Sequence, residues 1–341
     1  MKKYLPILLF VLSVNLINAQ NTSICAETLK EAERKFDEGK LDEIPKMLET
    51  CMKDGFTKEE KARAYKLLIQ TYLFNERYQQ ADEVMLKFLN DFPSYSLATN
   101  DPKEFVNLYG TYRTKPIFKL ELKGGLTFCM PTIIEQYGVS DIKTITPTYK
   151  PKIGYNLEFN YLNSLYKSFD YSIGVSLTIS NFDYSNNPTD YSSVSGSFSS
   201  WHVGLPIAAR YNYVFKGINL FAKLGVEPVY LVKSSVSLTR QDNIIGRQEP
   251  FTGTEDLLGS ENKIDIRPLL SIGVSFKLWD GWLNVSGGIK FSTMIQANDQ
   301  KRYSNPTLFN KYYFVQDDLL LNQSHISVSY IRPVYKPKKI K

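Results

Sequence analysis

The sequence predicts an α+β chain, with N-terminal antiparallel helical hairpins followed by an eight-stranded antiparallel up-and-down transmembrane β-barrel. Three observations predict it. Apolar residues recur every three or four positions from Ala26 to Tyr112, and every second position from Phe118 to Arg332. In that second half, tight turns alternate with long polar segments. The expected divisions are a leader over 1–20, a helical domain over 21–113, a barrel over 114–335 and a basic tail over 336–341.

The leader has Lys2 and Lys3, an apolar run from Tyr4 to Ile17, and the small residue Ala19 at its end. This is the pattern of a secretory signal peptide. Its apolar run is shorter than the roughly 20 residues that a membrane-spanning helix needs. Export would place Cys25, Cys51 and Cys129 in an oxidising compartment. Cys25 opens one expected helix and Cys51 closes the next, so an antiparallel hairpin brings them to one end; a disulfide and two buried thiols both stay open. Cys129 is left single, and the chain offers too few nearby ligands for zinc. Cys25 also lies too far beyond Gln20 for a lipid anchor.

Helix signals punctuate the first half. Gly39 and Gly55 end helices begun near Ala26 and Asp42. Thr57-Lys58-Glu59-Glu60 is a capping box for a third helix reaching Phe74, in which the Thr hydroxyl and the Glu carboxylate satisfy donors of the first turn. A fourth spans Tyr78 to Asn90 before Pro93, and Asp101-Pro102 starts a short fifth. Tyr65, Leu68, Tyr72, Ala81 and Pro93 stand at the spacing of a tetratricopeptide repeat, which they resemble. Ile69 and Phe88 depart from it, and a generic four-helix bundle is the other reading. On the repeat reading, Tyr65, Leu68, Tyr72 and Ala81 line a groove for a partner.

In the second half, Phe118, Leu120, Leu122, Leu126 and Phe128 alternate with Lys119, Glu121, Lys123 and Thr127, and seven further segments repeat the pattern near 153–161, 171–179, 201–211, 218–233, 266–278, 282–294 and 323–332. Asp280-Gly281 is a two-residue hairpin signal, and long polar segments are expected near 132–149, 181–200, 239–264 and 296–322. Alternation alone also suits a soluble sheet with one wet face. Aromatic placement favours the membrane. Tyr161, Tyr171, Tyr213, Phe215, Trp279, Trp282 and Tyr330 gather at the short-turn ends, as an interfacial girdle would.

A signal peptide, tetratricopeptide-like hairpins and an eight-stranded meander together resemble outer-membrane barrels of Bacteroidota, and the barrel half is similar to the PorT-like family. The likeness covers residues 116–335 by pattern rather than by a motif. It implies an outer-membrane location and, for some members, a part in type IX secretion. A departure is the C-terminus, which runs past Tyr330 and Tyr335 to Lys341.

The polar face, turned inward, carries Lys119, Glu121, Lys123, Glu158, Arg210, Lys223, Glu227, Arg267 and Lys290, with Lys233 and Lys277. A cation facing lipid at midplane would cost roughly 2–4 kcal/mol, so a lumenal cluster of ion pairs is the cheaper placement. His202 and His325 are expected to face inward too, and Asp317-Asp318 to be a solvated acidic pair. No catalytic, cofactor-binding or metal motif is present. The mean hydropathy of −0.26 excludes a helical membrane bundle. Of 41 basic residues, Lys2, Lys3, Lys336, Lys338, Lys339 and Lys341 are terminal, which leaves the basic count equal to the 35 acidic residues. Bulk charge therefore gives no reason to expect a nucleic-acid partner, and the tail reads as a solvated end. The expected partners are outer-membrane lipid and a periplasmic protein, with helices and C-terminus in the periplasm. The expected role is a non-enzymatic anchor. The alternative is a surface receptor or transport accessory using Tyr184, Tyr191, Tyr303 and Tyr312 of the outer loops.

Overall fold

A computed structural model of the protein describes residues 24–139, 147–166, 168–216, 218–243 and 249–340. The expected leader lies outside them. The chain forms two compact units, one ending at Pro116 and taking in the tail from Tyr335, the other spanning Ile117–Val334.

In the first unit, helix α1 covers 24–37, and a 3-10 turn at Leu41–Glu43 leads into α2 (Ile44–Lys53). Next come α3 (Lys58–Phe74), α4 (Tyr78–Asp91) and α5 (Lys103–Tyr109). The capping box forms as the sequence implies: the Glu60 N–H donates to the Thr57 hydroxyl at 3.3 Å, and the Thr57 N–H donates to the Glu60 carboxylate at 2.9 Å. Leu29, Ala32, Ile44, Leu48, Ala64 and Leu67 bury one core. Phe88 centres a second, its ring 5.2 Å from Phe92, 5.0 Å from Tyr95 and 5.3 Å from Phe105. A disulfide joins Cys25 to Cys51, and Cys129 is a buried free thiol.

Lys336, Lys338, Lys339 and Ile340 of the tail are exposed, as a solvated end would be, but the tail is tied down. Its backbone pairs with the chain after α5, Ile340 N–H donating to Thr111 C=O and Arg113 N–H to Lys338 C=O, both at 2.9 Å. The Lys339 ammonium sits 2.5 Å from Asp82. These partners offset the solvation that an exposed strand of backbone would otherwise keep.

The second unit is a closed antiparallel barrel. Its strands are β1 (Phe118–Glu135), β2 (Thr148–Tyr166), β3 (Phe169–Thr189), β4 (Ser192–Gly204), β5 (Ile207–Phe215) and β6 (Ile218–Asp242), followed by β7 (Phe251–Asp256), β8 (Ile264–Leu278), β9 (Gly281–Lys290) and β10 (Asp318–Val334). β4 and β5 are one stave broken at Leu205-Pro206, where proline has no N–H to give. Eight staves result: β1, β2, β3, β4 with β5, β6, β8, β9 and β10, closed where β10 pairs with β1. β7 adds only to β6.

Outward residues of the staves are apolar and exposed, among them Leu122, Leu157, Phe159, Val175, Leu224, Ile272, Val285 and Ile326. Inward neighbours are polar and buried. Such a wall is stable only with lipid outside, and its closure leaves no unpaired edge in the hydrocarbon. The protein is a transmembrane β-barrel appended to helical hairpins. The β8–β9 turn differs from the expected Asp280-Gly281 pair. Leu278 faces Gly281, so Trp279 and Asp280 form the turn, with Trp279 at φ +52°. Gly281 lies inside the ladder, where a Cβ would stand 2.3 Å from the Ile331 carbonyl oxygen.

Several expected polar loops are strands. β3 runs to Thr189 and β4 starts at Ser192, so 181–200 is a hairpin, and β6 is 25 residues long against the roughly 9–11 a tilted strand needs to cross a membrane. The excess strand length forms an extension beyond the lipid-facing belt.

Candidate functional site

Within the belt, the lumen is packed with charge. Glu158 stands between Lys123 and Lys290, 3.2 Å from each, and Lys290 continues to Glu227 at 2.7 Å. The Glu227 carboxylate also accepts from Ser176. Glu121 accepts from Asn160 at 3.0 Å and from Ser329 at 2.7 Å. Arg210 donates to Ser275 at 2.9 Å and stacks 3.8 Å from the centre of Phe221. Lys119 pairs with Asp170 at 2.9 Å, and Arg267 with Asp265 at 2.9 Å. Lys223 is buried beside Glu121, Lys123 and Arg210, around a void of about 10 Å³ that holds one water at most. Buried pairs of this kind add little net stability, but removing one member strands its partner.

Two expected inward charges are elsewhere. A bulge between Trp201 and His202 turns Lys233 outward, where its ammonium lies 5.7 Å from the Trp201 ring centre. Lys277 is exposed at the short-turn rim. His202 and His325 are both buried in the lumen, and His325 Nε2 is 3.3 Å from the Ser271 hydroxyl. Gly288 makes room for that ring: a Cβ there would stand 2.7 Å from it.

Above the belt the interior changes chemistry. Phe182, Tyr184, Val194, Phe198, Val236 and Leu238 face inward and pack against Leu257, Leu308, Tyr312, Phe314, Leu319 and Leu321. Leu308 and Tyr312 belong to α6 (Pro306–Tyr312). Tyr184 and Tyr312 are therefore core residues and not available to a ligand, whereas Tyr191 and Tyr303 are exposed. Asp317 and Asp318 are buried, against expectation. Asp317 accepts from the Tyr149 hydroxyl at 2.6 Å and the Tyr137 N–H at 2.8 Å, and burial raises its pKa; Asp318 pairs with Arg302. Nearby, Glu261 accepts from the side-chain amides of Gln296 and Gln316, each at 2.7 Å. Burial, reinforced by the charge of Asp256, pushes its carboxyl up to about 7. Segment 258–263 is thereby fastened to 295–298 and 316.

The outer face of the extension is a lattice of small polar side chains. Cross-strand pairing aligns Lys150, Asp183, Ser197, Ser237 and Thr254 in one row across β2, β3, β4, β6 and β7. The next row is Thr148, Ser185, Ser195, Thr239 and Thr252. Parts of both rows line a concavity of about 430 Å³. The signal for this face is in the sequence: Phe182, Tyr184, Val194 and Phe198 alternate with the hydroxyl positions through what reads as a polar loop.

The helical unit has its own hollow, of about 280 Å³, lined on α1 and α3 by Glu33, Phe36, Asp37, Arg63, Lys66, Leu67 and Gln70. The expected groove residues do not line it. Tyr65, Leu68 and Ala81 are buried in the cores and Tyr72 packs against one of them, because the same periodicity that marks a repeat also marks its inward face. Lys66 pairs with Asp101 at 2.5 Å, and Arg63 with Glu33 at 2.6 Å.

No protein-family model matches the chain, and no curated protein does. Among solved structures, it is similar to the attachment invasion locus protein Ail of Yersinia pestis, at 12% identity over 63% of this chain and 99% of Ail, with a TM-score of 0.28. It is also similar to the outer membrane protein OprG from Pseudomonas aeruginosa, at 10% identity over 64% of this chain and 98% of that one, with a TM-score of 0.35. For Neisserial surface protein A the values are 11%, 63%, 96% and 0.29. At TM-scores this low, these likenesses add nothing to the fold that the strand pairing of this chain itself defines.

Proposed function

We propose that the protein is a non-enzymatic anchor in an outer membrane, whose helical unit holds a periplasmic partner of an envelope-assembly or secretion system. The filled barrel carries this reading. The Glu158–Lys290–Glu227 ion pairs occupy the lumen and an apolar core fills its long-loop mouth, so the barrel is suited to fixing other parts at the membrane rather than to passing solute. The chain enters and leaves the barrel at the short-turn end, the end that faces the periplasm in barrels of this topology. Kinship with PorT-like barrels of Bacteroidota and with tetratricopeptide-like helices is the finer form of the same reading, supported by pattern. In the helical unit, the hollow on α1 and α3 is the binding surface.

Deleting residues 26–112 is expected to abolish function while the barrel keeps its heat-modifiable migration on gels; full function in that variant would sink the anchor. Arg63→Glu with Gln70→Trp places the loss at the hollow itself. A surface-receptor role is the second reading, favoured by the concave hydroxyl face and by exposed Tyr191 and Tyr303.

A further inference from the structure

We propose that the outer face of the extension binds the phosphorylated saccharide headgroup of a glycolipid in the leaflet around the barrel. The inference rests on the outer-membrane reading but assigns a site separate from the helical hollow, and gives the concave hydroxyl face a ligand class. Three features lead to it.

The first is chemical. Ser195, Ser197, Ser237 and Thr239 stand on neighbouring strands roughly 4.8 Å apart, each hydroxyl able to donate and accept. Sugar hydroxyls have the same dual character, so a lattice of this kind meets them without leaving groups unpaired. Ser195 and Thr239 have no side-chain hydrogen bond among the described residues, and their short side chains lose little rotamer freedom on binding. The second is shape: the same residues line a concavity of about 430 Å³ instead of a flat sheet.

The third is position, which selects the source of the saccharide. The row closest to the belt begins at Lys152, whose ammonium lies 3.0 Å from Asp183 and 3.0 Å from the Ser197 hydroxyl. Beside that row, Trp201 is part-exposed at the belt's upper rim with Lys233 over its ring. An aromatic ring at the hydrocarbon boundary, with cations at and just above it, places positive charge where headgroup phosphates lie. A headgroup rising from the leaflet meets the lysines first and the hydroxyl rows next, while its acyl chains rest on the apolar wall.

The test uses the full-length protein in detergent, with Ser195→Glu/Thr239→Glu and Lys152→Gln variants, all shown to be folded by heat-modifiable migration. Each is titrated with lipopolysaccharide, with its delipidated oligosaccharide and with phosphatidylglycerol, and read by tryptophan fluorescence. Lipopolysaccharide is expected to bind the parent protein best, with a roughly tenfold loss of affinity in the double variant and a smaller loss in Lys152→Gln. Equal binding by the double variant would overturn the proposal. So would phosphatidylglycerol binding as well as lipopolysaccharide, which would mean charge alone, or oligosaccharide binding as tightly, which would mean a free glycan. A parent protein without heat-modifiable migration would instead strike the membrane reading itself, and the proposal with it.

Discussion

Strand β3 crosses two regions on a single register. Its even-numbered residues face inward throughout, yet Ser172, Ser176, Thr178 and Ser180 are polar whereas Phe182 and Tyr184 are aromatic core. Its odd-numbered residues do the reverse, from Ile173 and Val175 against lipid to Asn181, Asp183 and Ser185 on the outer face of the extension. The same exchange falls between Thr127 and Cys129 on β1, between Ser200 and Phe198 on β4, and between Gln323 and Leu321 on β10. β3 keeps its own alternation through the exchange, although β2 bulges opposite it between Lys152 and Tyr155. Only the solvent changes: where hydrocarbon surrounds the sheet, apolar groups face out and polar groups pair inside, and where water surrounds it the ordinary order returns. The level of the exchange therefore marks the membrane boundary at the long-loop end, written into β1, β3, β4 and β10 alike.

The most disruptive way to probe the contrast is to remove one central group from each interior. Lys290→Met leaves Glu158 and Glu227 buried without their shared cation, an expected loss of about 3–5 kcal/mol. It should lower the temperature at which the folded gel band disappears. Phe198→Ala opens the core of the extension at a similar cost of about 3–5 kcal/mol, but its readout is protease cleavage of the outer segments while the barrel band survives. If each variant weakened both regions equally, the two interiors would be one cooperative unit and the contrast would be only chemical.

A smaller effect is expected from pH, and only in the extension. Glu261 is held protonated in the fold up to about pH 7, above its ordinary 4.5. The unfolded chain ionises first, so the extension should lose stability as pH rises from about 4.5 and reach the full loss above about 7, roughly 3 kcal/mol in all. Glu261→Gln should flatten that dependence in urea titrations followed by cleavage of the outer segments. A profile unchanged in the variant would place the titrating group elsewhere.

The mildest comparison stays on one strand and one face. Val175→Lys puts a cation in the belt and should cost about 2–4 kcal/mol, seen as reduced folding into vesicles. Asn181→Lys, six residues along in water, should change stability by no more than about 0.5 kcal/mol. Equal costs would move the membrane boundary past Asn181.

Much of this was legible in the sequence. Period-two alternation, the turn signals and the aromatic girdle gave the staves and their inward charges, because each is a local consequence of which face meets lipid. The capping box and the helix limits were readable for the same reason. The extension was not, since Ser-rich stretches such as 192–200 carry the composition of loops. Their buried Val194 and Phe198 declare themselves only when strands 40 residues away supply Val236 and Leu238 as neighbours.

The sequence by itself determined the order of helices and strands, the alternation of lipid-facing and lumen-facing positions, and the nearness of Cys25 to Cys51. Only the tertiary structure decided that Lys233 points outward, that Tyr184 and Tyr312 are core, that Tyr65, Leu68 and Ala81 leave the hollow to Arg63 and Gln70, and that Glu261 is buried. The reason is physical. Periodicity fixes which residues share a face, but what that face meets, whether lipid, water or another strand, is set by parts of the chain far away in sequence.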